Sequence, residues 1–347
     1  MTDPGFVHLH LHSEFSLSDG IIRIEDLVES SVNKKFSALA LTDLSNLFGL
    51  IKFYKSARRN GLKPIVGSEV LLIKDYDSLP APLFLLVKNQ TGYTNLTKLV
   101  SKAYVEGQRQ GEPLVKIEWL AEHSKGLIAL SGGQEGHVGQ AILATNDKLA
   151  ESRAEYLKGI FNEDFFIEIS RLGRRGEDEY INKVLDIASR KEIPVVATNN
   201  VRFLKNTDIE DEGISDFEAH EARVCIQSGE VLDDPRREKK YLESQYLASQ
   251  EEMQKKFRDI PEAIENTSLI AKKCNLELEL GEFYLPDFEV PDKLTTEQYL
   301  KEKSIQGLKK KISEIKESEN SYHIKEEDYS SRLEYELDMI CKLDFAG

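Results

Sequence analysis

Three histidines near the start of the chain alternate with aliphatic residues in the stretch FVHLHLH, residues 6–12. A period of two places every second side chain of a β-strand on the same face, so the spacing predicts that His8, His10 and His12 point into one space. Neutral imidazole is a common metal ligand, and the carboxylate Asp19 follows closely. The pattern indicates either a metal site or, equally on this spacing, hydrogen-bonded core histidines.

Short apolar runs recur along the chain with amphipathic stretches between them. Seven runs of this kind, mostly separated by helices, predict an α/β fold with a largely parallel sheet. The predicted strands are 6–12, 38–43, 64–73, 83–88, 127–132, 165–170 and 194–199. The predicted helices between them are 23–34, 46–59, 92–105, 147–161 and 177–191.

Polar residues lie at the ends of several predicted strands. Asp43 ends the second strand, Ser131 the fifth, and Asn200 follows the seventh, while Glu69 lies within the third. Polar groups at the carboxyl ends of many strands are typical of a (βα) barrel, whereas an open sheet gathers its site at one crevice. The pattern therefore favours a barrel. GxGxxG and Walker A sequences are missing, so nucleotide sites of those kinds are not supported.

The composition is that of a globular chain with an acidic surface. The 347 residues are 40% hydrophobic and 31% charged, with a formal net charge of −15. Such a charge repels phosphates, so we do not expect this chain to hold duplex DNA by itself. Cys225, Cys274 and Cys341 have no CxxC spacing, which favours a reducing compartment. Without a signal peptide or a long apolar run, we expect a cytoplasmic chain and no membrane contact.

The character of the sequence changes in its last third. The stretch LGEFYLPDFEVPDK carries Pro286 and Pro291 and predicts an extended connection. We therefore predict a barrel domain over 1–280, a linker over 281–294, and a helical region over 295–347.

Several blocks resemble one known family. The blocks are FVHLHLHSEFSLSDG, ALALTDLSNLFGLIKFY, GLKPIVGSEV, NQTGYTNLTKLVSKAY, GLIALSGG, PVVATNNVRF and LDDPRR. In this order they resemble the N-terminal region of the alpha (catalytic) subunits of bacterial DNA polymerase III, the replicative C-family DNA polymerases. The resemblance implies that residues 1–280 form a PHP (polymerase and histidinol phosphatase) domain, a distorted seven-stranded (βα) barrel. Residues 295–347 would begin the palm region, truncated before its catalytic aspartates.

Metal-binding PHP domains are similar in nine ligand positions that hold up to three metals. The resemblance places His10, His12, Asp19 and Glu69 on four of these positions. The other five hold Leu44, Pro82, Gly133, Asn200 and Arg202. Three of these side chains have no donor atom, an amide is a weak ligand, and a guanidinium stays protonated. We therefore expect a degenerate, unoccupied site, with a single weakly held Zn²⁺ or Mn²⁺ at His10, His12 and Glu69 as the residual alternative.

The resemblance also implies a role. The full-length parent would be a DNA-directed DNA polymerase, a nucleotidyltransferase of DNA replication that uses Mg²⁺, with no catalytic residue in this chain. We expect this portion to be a non-catalytic structural and docking domain. Its partners would be a proofreading exonuclease subunit and the rest of the polymerase and replisome, with DNA bound mainly through other domains. The alternative function is a metal-dependent phosphoesterase or 3′–5′ exonuclease of the PHP class.

An electrostatic argument assigns a role to Arg202. Buried carboxylates without a counter-charge are costly, and divalent ions balance them in an active site. His10, His12, Asp19, Asp43 and Glu69 are expected at one end of the barrel. We predict that Arg202 replaces the missing metal charge beside Asp19 and Glu69, through a bidentate contact.

Overall fold

The computed structural model describes residues 5–74, 79–205, 215–282, 288–291, 293–317 and 325–347. The chain divides into two compact units, Met1–Glu277 and Leu278–Gly347. The predicted linker is described only in part, and Pro286 lies outside the described residues. The assignment of domains 1–280 and 295–347 therefore stays a prediction.

The first unit contains a mixed sheet, which confirms the α/β fold. Its strands are β1 (Ala38–Leu41), β2 (Lys63–Ile73), β3 (Ala81–Val87), β4 (Gln108–Arg109), β5 (Glu112–Lys116), β6 (Leu127–Leu130), β7 (Phe165–Ser170) and β8 (Val195–Thr198). Their order is β4-β5-β2-β3-β6-β7-β8, and β1 pairs with β2. The short β4–β5 hairpin was not predicted.

Strand β3 makes the sheet less parallel than the sequence predicted. It runs antiparallel to both β2 and β6, whereas the pairs β1–β2, β2–β5, β6–β7 and β7–β8 are parallel. Only residues 74–80 separate β2 from β3. A parallel crossover needs about a dozen residues or more, so this connection dictates an antiparallel neighbour.

Residues 6–12, here called the first segment, close the sheet into a barrel-like arrangement. On one side, the amides of Ala40 and Thr42 donate to the carbonyls of His8 and Leu11, both at 2.9 Å. On the other side, Val201 and the histidine segment exchange two backbone hydrogen bonds of 3.0 Å. The segment lies where the predicted first strand belongs, but it forms only one isolated bridge, Leu11 with Val201.

Amphipathic helices surround the sheet. The helices of the first unit are α1 (Ile24–Asn33), α2 (Leu50–Arg59), α3 (Gln90–Glu106), α4 (Ile117–His123), α5 (His137–Leu143), α6 (Asp147–Phe161), α7 (Glu177–Lys191), α8 (Asp216–Ser228), α9 (Gln250–Lys256) and α10 (Pro261–Lys273). The second unit contains α11 (Thr296–Glu317) and α12 (Glu326–Lys342). None of the helices in the described ranges is long and apolar enough to cross a membrane.

The core fills the interior of the barrel. Buried apolar side chains from the first segment, from six strands and from α10 form one cluster, which includes Val7, Leu9, Ala40, Ile65, Phe84, Leu86, Leu130, Phe166, Val196 and Ile270. These side chains pack together as the core of the barrel.

His8 lies apart from the other two histidines. Its Nε2 lies 2.9 Å from the carbonyl oxygen of Ala248, and its ring packs edge-on against Phe6 and Phe36. The prediction that all three imidazoles share one space is therefore wrong for His8. The reason is that the segment is not a regular strand, so the period of two is not kept along it. Complete burial lowers the pKa of His8 to about 4.

The buried His8 makes stability depend on pH. An unfolded histidine binds a proton near pH 6.5, whereas folded His8 stays neutral down to about pH 4. Acid therefore favours the unfolded chain in this window, by roughly 3 kcal/mol for this residue. His8→Gln retains an amide donor for Ala248 and should remove that loss. Urea unfolding at pH 7 and pH 4.5 measures it, and an unchanged pH dependence in the variant would contradict the assignment.

The second unit should be the less protected part of the chain. Among its described residues, only Ile312 and Leu337 are buried apolar side chains. Helices with so little burial open at low cost. We expect the amides of α11 and α12 to exchange with deuterium roughly tenfold or more faster than those of β2, β3 and β6. Equal protection of the two units in an exchange experiment would refute this expectation.

Candidate functional site

His10 is held by a buried carboxylate that the sequence analysis missed. Its Nδ1 lies 2.7 Å from Oε1 of Glu168, and the Thr198 hydroxyl donates to the same oxygen at 2.6 Å. Burial lowers the pKa of His10 in spite of Glu168. The imidazole is therefore neutral, with Nδ1–H donating to Glu168, and its Nε2 has no hydrogen-bond partner. A carboxylate behind a histidine is a common way to orient a metal ligand.

His12 lies between two carboxylates. Its Nδ1 is 2.5 Å from Oδ2 of Asp19, and its Nε2 is 2.9 Å from Oε2 of Glu69. Burial and Arg202 lower the pKa of His12, but the two carboxylates outweigh them and raise it. With its pKa raised and a carboxylate at ion-pair distance from each nitrogen, His12 serves here as a cation.

Arg202 lies beside the two carboxylates that the sequence analysis named. Its Nη2 is 3.2 Å from Oδ2 of Asp19 and 3.8 Å from Oε2 of Glu69. Although burial lowers the pKa of Arg202, these two anions raise it above its usual value. The predicted bidentate contact is wrong, because Nη2 alone faces both carboxylates, while Nη1 donates to the carbonyl of Val201 at 3.4 Å.

Asp19 has both oxygens engaged. One contacts His12 and Arg202, and the other accepts a hydrogen bond from the hydroxyl of Tyr241. Burial raises the pKa of Asp19, but Arg202 and His12 outweigh it and hold this pKa far below its usual range. Tyr241 lies 222 positions from Asp19 in sequence, so no local pattern marks it.

Asp43 does not take part in this network, contrary to the expectation that it faces the same space. One carboxylate oxygen accepts from the Ser13 amide and the Ser16 hydroxyl, both at 2.7 Å, and both oxygens accept from the Ser13 hydroxyl. These bonds fix the 3₁₀ turn Glu14–Asp19, which presents Asp19 to His12. Asp43 therefore stabilises the turn that positions Asp19.

A comparison with protein families identifies the barrel. Residues 8–172 match the sequence model of the PHP domain. The chain contains a PHP domain.

Relatives match this PHP domain and the chain around it. The chain is 43% identical to the DNA polymerase III subunit alpha of Pseudomonas fluorescens over 345 residues, 99% of its length. It is 41% identical to that of Escherichia coli K12 over 349 aligned positions, 100% of its length. The homologues are thus DNA polymerase III alpha subunits, and the chain spans 29% of the length of each.

A solved structure is also similar, though distantly. An amidohydrolase from Chromobacterium violaceum, described with bound sulfate and no metal, matches with a TM-score of 0.40 and 15% sequence identity. The match covers 62% of this chain and 96% of that one.

The structure also locates the residues that stand at the other predicted ligand positions of this PHP site. Leu44 forms an isolated bridge with Glu69, and Pro82 lies in β3. Gly133 and Asn200 line a cavity of about 20 Å³ next to His10 and Glu168. The side-chain oxygen of Asn200 has no hydrogen-bond partner.

The donor set of the PHP site fits one ion at most. His10, His12 and Glu69 offer ligand atoms within 4.8 Å of one another, and Nε2 of His10 is free. His12, however, has its Nε2 only 2.9 Å from Oε2 of Glu69, and would have to lose a proton to ligate. A second or third ion does not fit, because Arg202 already lies against Asp19 and Glu69.

Removing Arg202 should destabilise the domain. Arg202→Ala strands Asp19 and Glu69 with only His12 as a counter-charge, so we expect the free energy of unfolding to fall by about 3 kcal/mol. Arg236, which pairs with Asp234 on the surface, provides the control. Arg236→Ala should cost less than about 0.5 kcal/mol. Urea unfolding at pH 7 compares them, and equal losses would contradict a special role for Arg202.

Proposed function

We propose that this chain is the PHP-containing region of a bacterial DNA polymerase III alpha subunit, and that its PHP site is a metal-free structural element. Identities of 41–43% over essentially the whole chain support the first part. The activity of the whole protein would be DNA-directed DNA synthesis in replication, a nucleotidyl transfer assisted by Mg²⁺. That activity would reside in the part of the relatives that this chain does not span.

The observation that carries the non-catalytic role is the charge balance at the site. Two carboxylates, Asp19 and Glu69, face two cations, the Arg202 guanidinium and the His12 imidazolium. The cluster therefore needs no divalent ion to neutralise it. An entering ion would meet the repulsion of both cations at short range in a buried, poorly screened environment.

The space around the site supports the same proposal. The cavity beside His10 and Glu168 has a volume of about 20 Å³. That is enough for a single water molecule, whereas ligand pockets of proteins measure about 300–1,000 Å³. A nucleotide has no room there in this arrangement of the chain.

A non-catalytic PHP site has a consequence for the assembly. A replicative polymerase that removes no mismatched nucleotide here needs a separate nuclease. We therefore propose that a proofreading exonuclease subunit docks on this domain, beside the remainder of the polymerase and the replisome in the cytoplasm. The net charge of −15 supports a role in protein contacts, with DNA bound mainly by other domains.

One observation favours a second candidate, a metal-dependent phosphoesterase or 3′–5′ exonuclease. The three donors of His10, His12 and Glu69 lie within 4.8 Å of one another, and Glu168 orients His10 with Nε2 free. A bound Zn²⁺ or Mn²⁺ would supply an activated water molecule. His10 and Glu69 would hold it, and His12 would join after deprotonation.

Metal analysis and a nuclease assay on the same preparation separate the two candidates. Protein purified without chelators and dialysed from Zn²⁺ or Mn²⁺ should retain at most one ion per chain, released by mild chelation. It should not shorten 5′-labelled single-stranded DNA. One or more tightly held ions, with nuclease activity that His10→Asn abolishes, would overturn the proposal. Arg202→His alone should not create such a site, because Leu44, Pro82, Gly133 and Asn200 still lack adequate donors.

A further inference from the structure

A segment that is remote in sequence covers the carboxyl end of the barrel. Residues 215–241, here called the cap segment, comprise α8 and the chain that follows it. Helix α8 packs against the 3₁₀ turn Glu14–Asp19, and Tyr241 at the end of the cap segment reaches Asp19. The cap segment therefore lies over the network of His12 and Arg202.

The chain just after the cap segment is anchored firmly to the barrel. The Arg202 amide donates to the carbonyl of Gln245 at 2.8 Å, and the Leu247 amide donates to Phe203 at 3.0 Å. The side-chain amide of Gln245 donates to the carbonyl of Asn200 at 3.1 Å. If the cap segment moves, the chain at its C-terminal end therefore stays attached to the barrel.

Little apolar surface holds the cap segment down. Helix α8 buries His220, Glu221 and Cys225, whereas α7 buries Tyr180, Ile181, Val184, Ile187 and Ala188 among others. Large apolar side chains of the cap segment face solvent, with Ile226 83% and Val231 67% exposed. Segments with few buried apolar contacts open at a lower free energy than the core around them.

Beside the ring contacts of Phe217 and His220 with Phe203 and an exposed bond from the Lys205 amide to Asp216, two further polar contacts fasten the cap segment. Glu221 and Arg237 form an ion pair of 2.6 Å, with each side chain only 3% exposed, which ties α8 to the chain after it. The Tyr241 hydroxyl donates to Asp19, and the buried ring of His220 packs edge-on against Tyr241 with centroids 4.5 Å apart. The first contact holds the cap segment together, and the second holds it on the site.

We propose that the cap segment is a built-in lid that opens as a unit while the barrel stays folded, that the contact between Asp19 and Tyr241 is its latch, and that the pair of Glu221 and Arg237 keeps the lid in its closed shape. Closed, the lid keeps water and ligands from the carboxyl end of the barrel. Open, it uncovers Asp19 and the side chains behind it. The proposal goes beyond the non-catalytic role proposed above and does not depend on which candidate function holds.

The three cysteines of the chain are natural reporters of such an opening. Cys225 is a buried residue of α8 in the lid, Cys274 is buried in the barrel core at the end of α10, and Cys341 is half-buried in the second unit. Pulses of a maleimide on the 347-residue chain, read out by peptide mass spectrometry, give a labelling rate for each thiol. We expect Cys341 to react first and Cys225 about tenfold or more faster than Cys274.

Substitutions at these two contacts sharpen the test. Arg237→Met should accelerate the labelling of Cys225 about tenfold or more and leave Cys274 unchanged, because it strands the buried Glu221 in the closed lid. The neighbouring Arg236→Met is the matched control, since Arg236 is exposed, and it should change neither rate. Tyr241→Phe should also accelerate Cys225, whereas Tyr246→Phe, which removes a hydroxyl bonded to Glu252, should not.

Amide exchange supplies an independent measurement. If the lid opens as proposed, Arg237→Met should speed deuterium exchange in α8 and in the 3₁₀ turn Glu14–Asp19, and leave β2 and β3 protected. Equal labelling rates of Cys225 and Cys274 in the unaltered chain would overturn the proposal. Variants of the two contacts that accelerate both thiols alike would do the same, because the barrel would then be unfolding with the segment.

Discussion

Charge neutrality at one buried point constrains the whole barrel. Asp19 and Glu69 are stable inside the protein only because Arg202 and protonated His12 lie within a few ångströms of them. These four groups come from the first segment, the 3₁₀ turn, strand β2 and the chain after β8. Moving any of these elements from its place would leave a charge unpaired, so the network forms only when the barrel closes.

The same constraint explains how a site that we propose to be metal-free can keep ligand-like residues. Because the Arg202 guanidinium lies beside Asp19 and Glu69, the two carboxylates serve as its ion-pair partners. His12 serves as the second cation of the cluster. His10 is retained through a different set of contacts, with Glu168 on one side and the ring of Phe84 on the other. Selection for stability alone is therefore enough to preserve a ligand-like pattern, and such a pattern in a sequence is weak evidence for a bound ion.

Much of the fold followed from the sequence because apolar runs and helical periodicity are local signals. The strands of the sheet interior and the long helices lie close to where those signals put them, and α1 buries Ile24, Leu27, Val28 and Ser31 as its periodicity predicts. The two-residue β4 is too short to show a period, and α4, α5 and α9 are only seven residues each. The antiparallel β3 could have been inferred from the short connection before it.

The site was only partly predictable, for a related reason. The family resemblance placed Arg202 at a ligand position, and charge balance then paired it with Asp19 and Glu69, because an unpaired buried charge is costly wherever it lies. Glu168 had a signal that was overlooked, a single acid inside the apolar strand FFIEIS. Tyr241 had none, since its contact with Asp19 depends on how a distant segment folds over the barrel. Asp43 was misplaced because its orientation depends on the serines that it binds.

The position of the first segment in the middle of the barrel has a consequence for synthesis. The Val7 amide donates to the hydroxyl of Thr267 at 3.0 Å, across 260 positions of sequence. At the ribosomal rate of about 5–20 residues per second, the earliest residues wait roughly 13–52 seconds before their last neighbour has been made. During that time an apolar stretch with unpaired backbone groups is exposed in the cell, so the nascent chain needs either a chaperone or temporary contacts of its own.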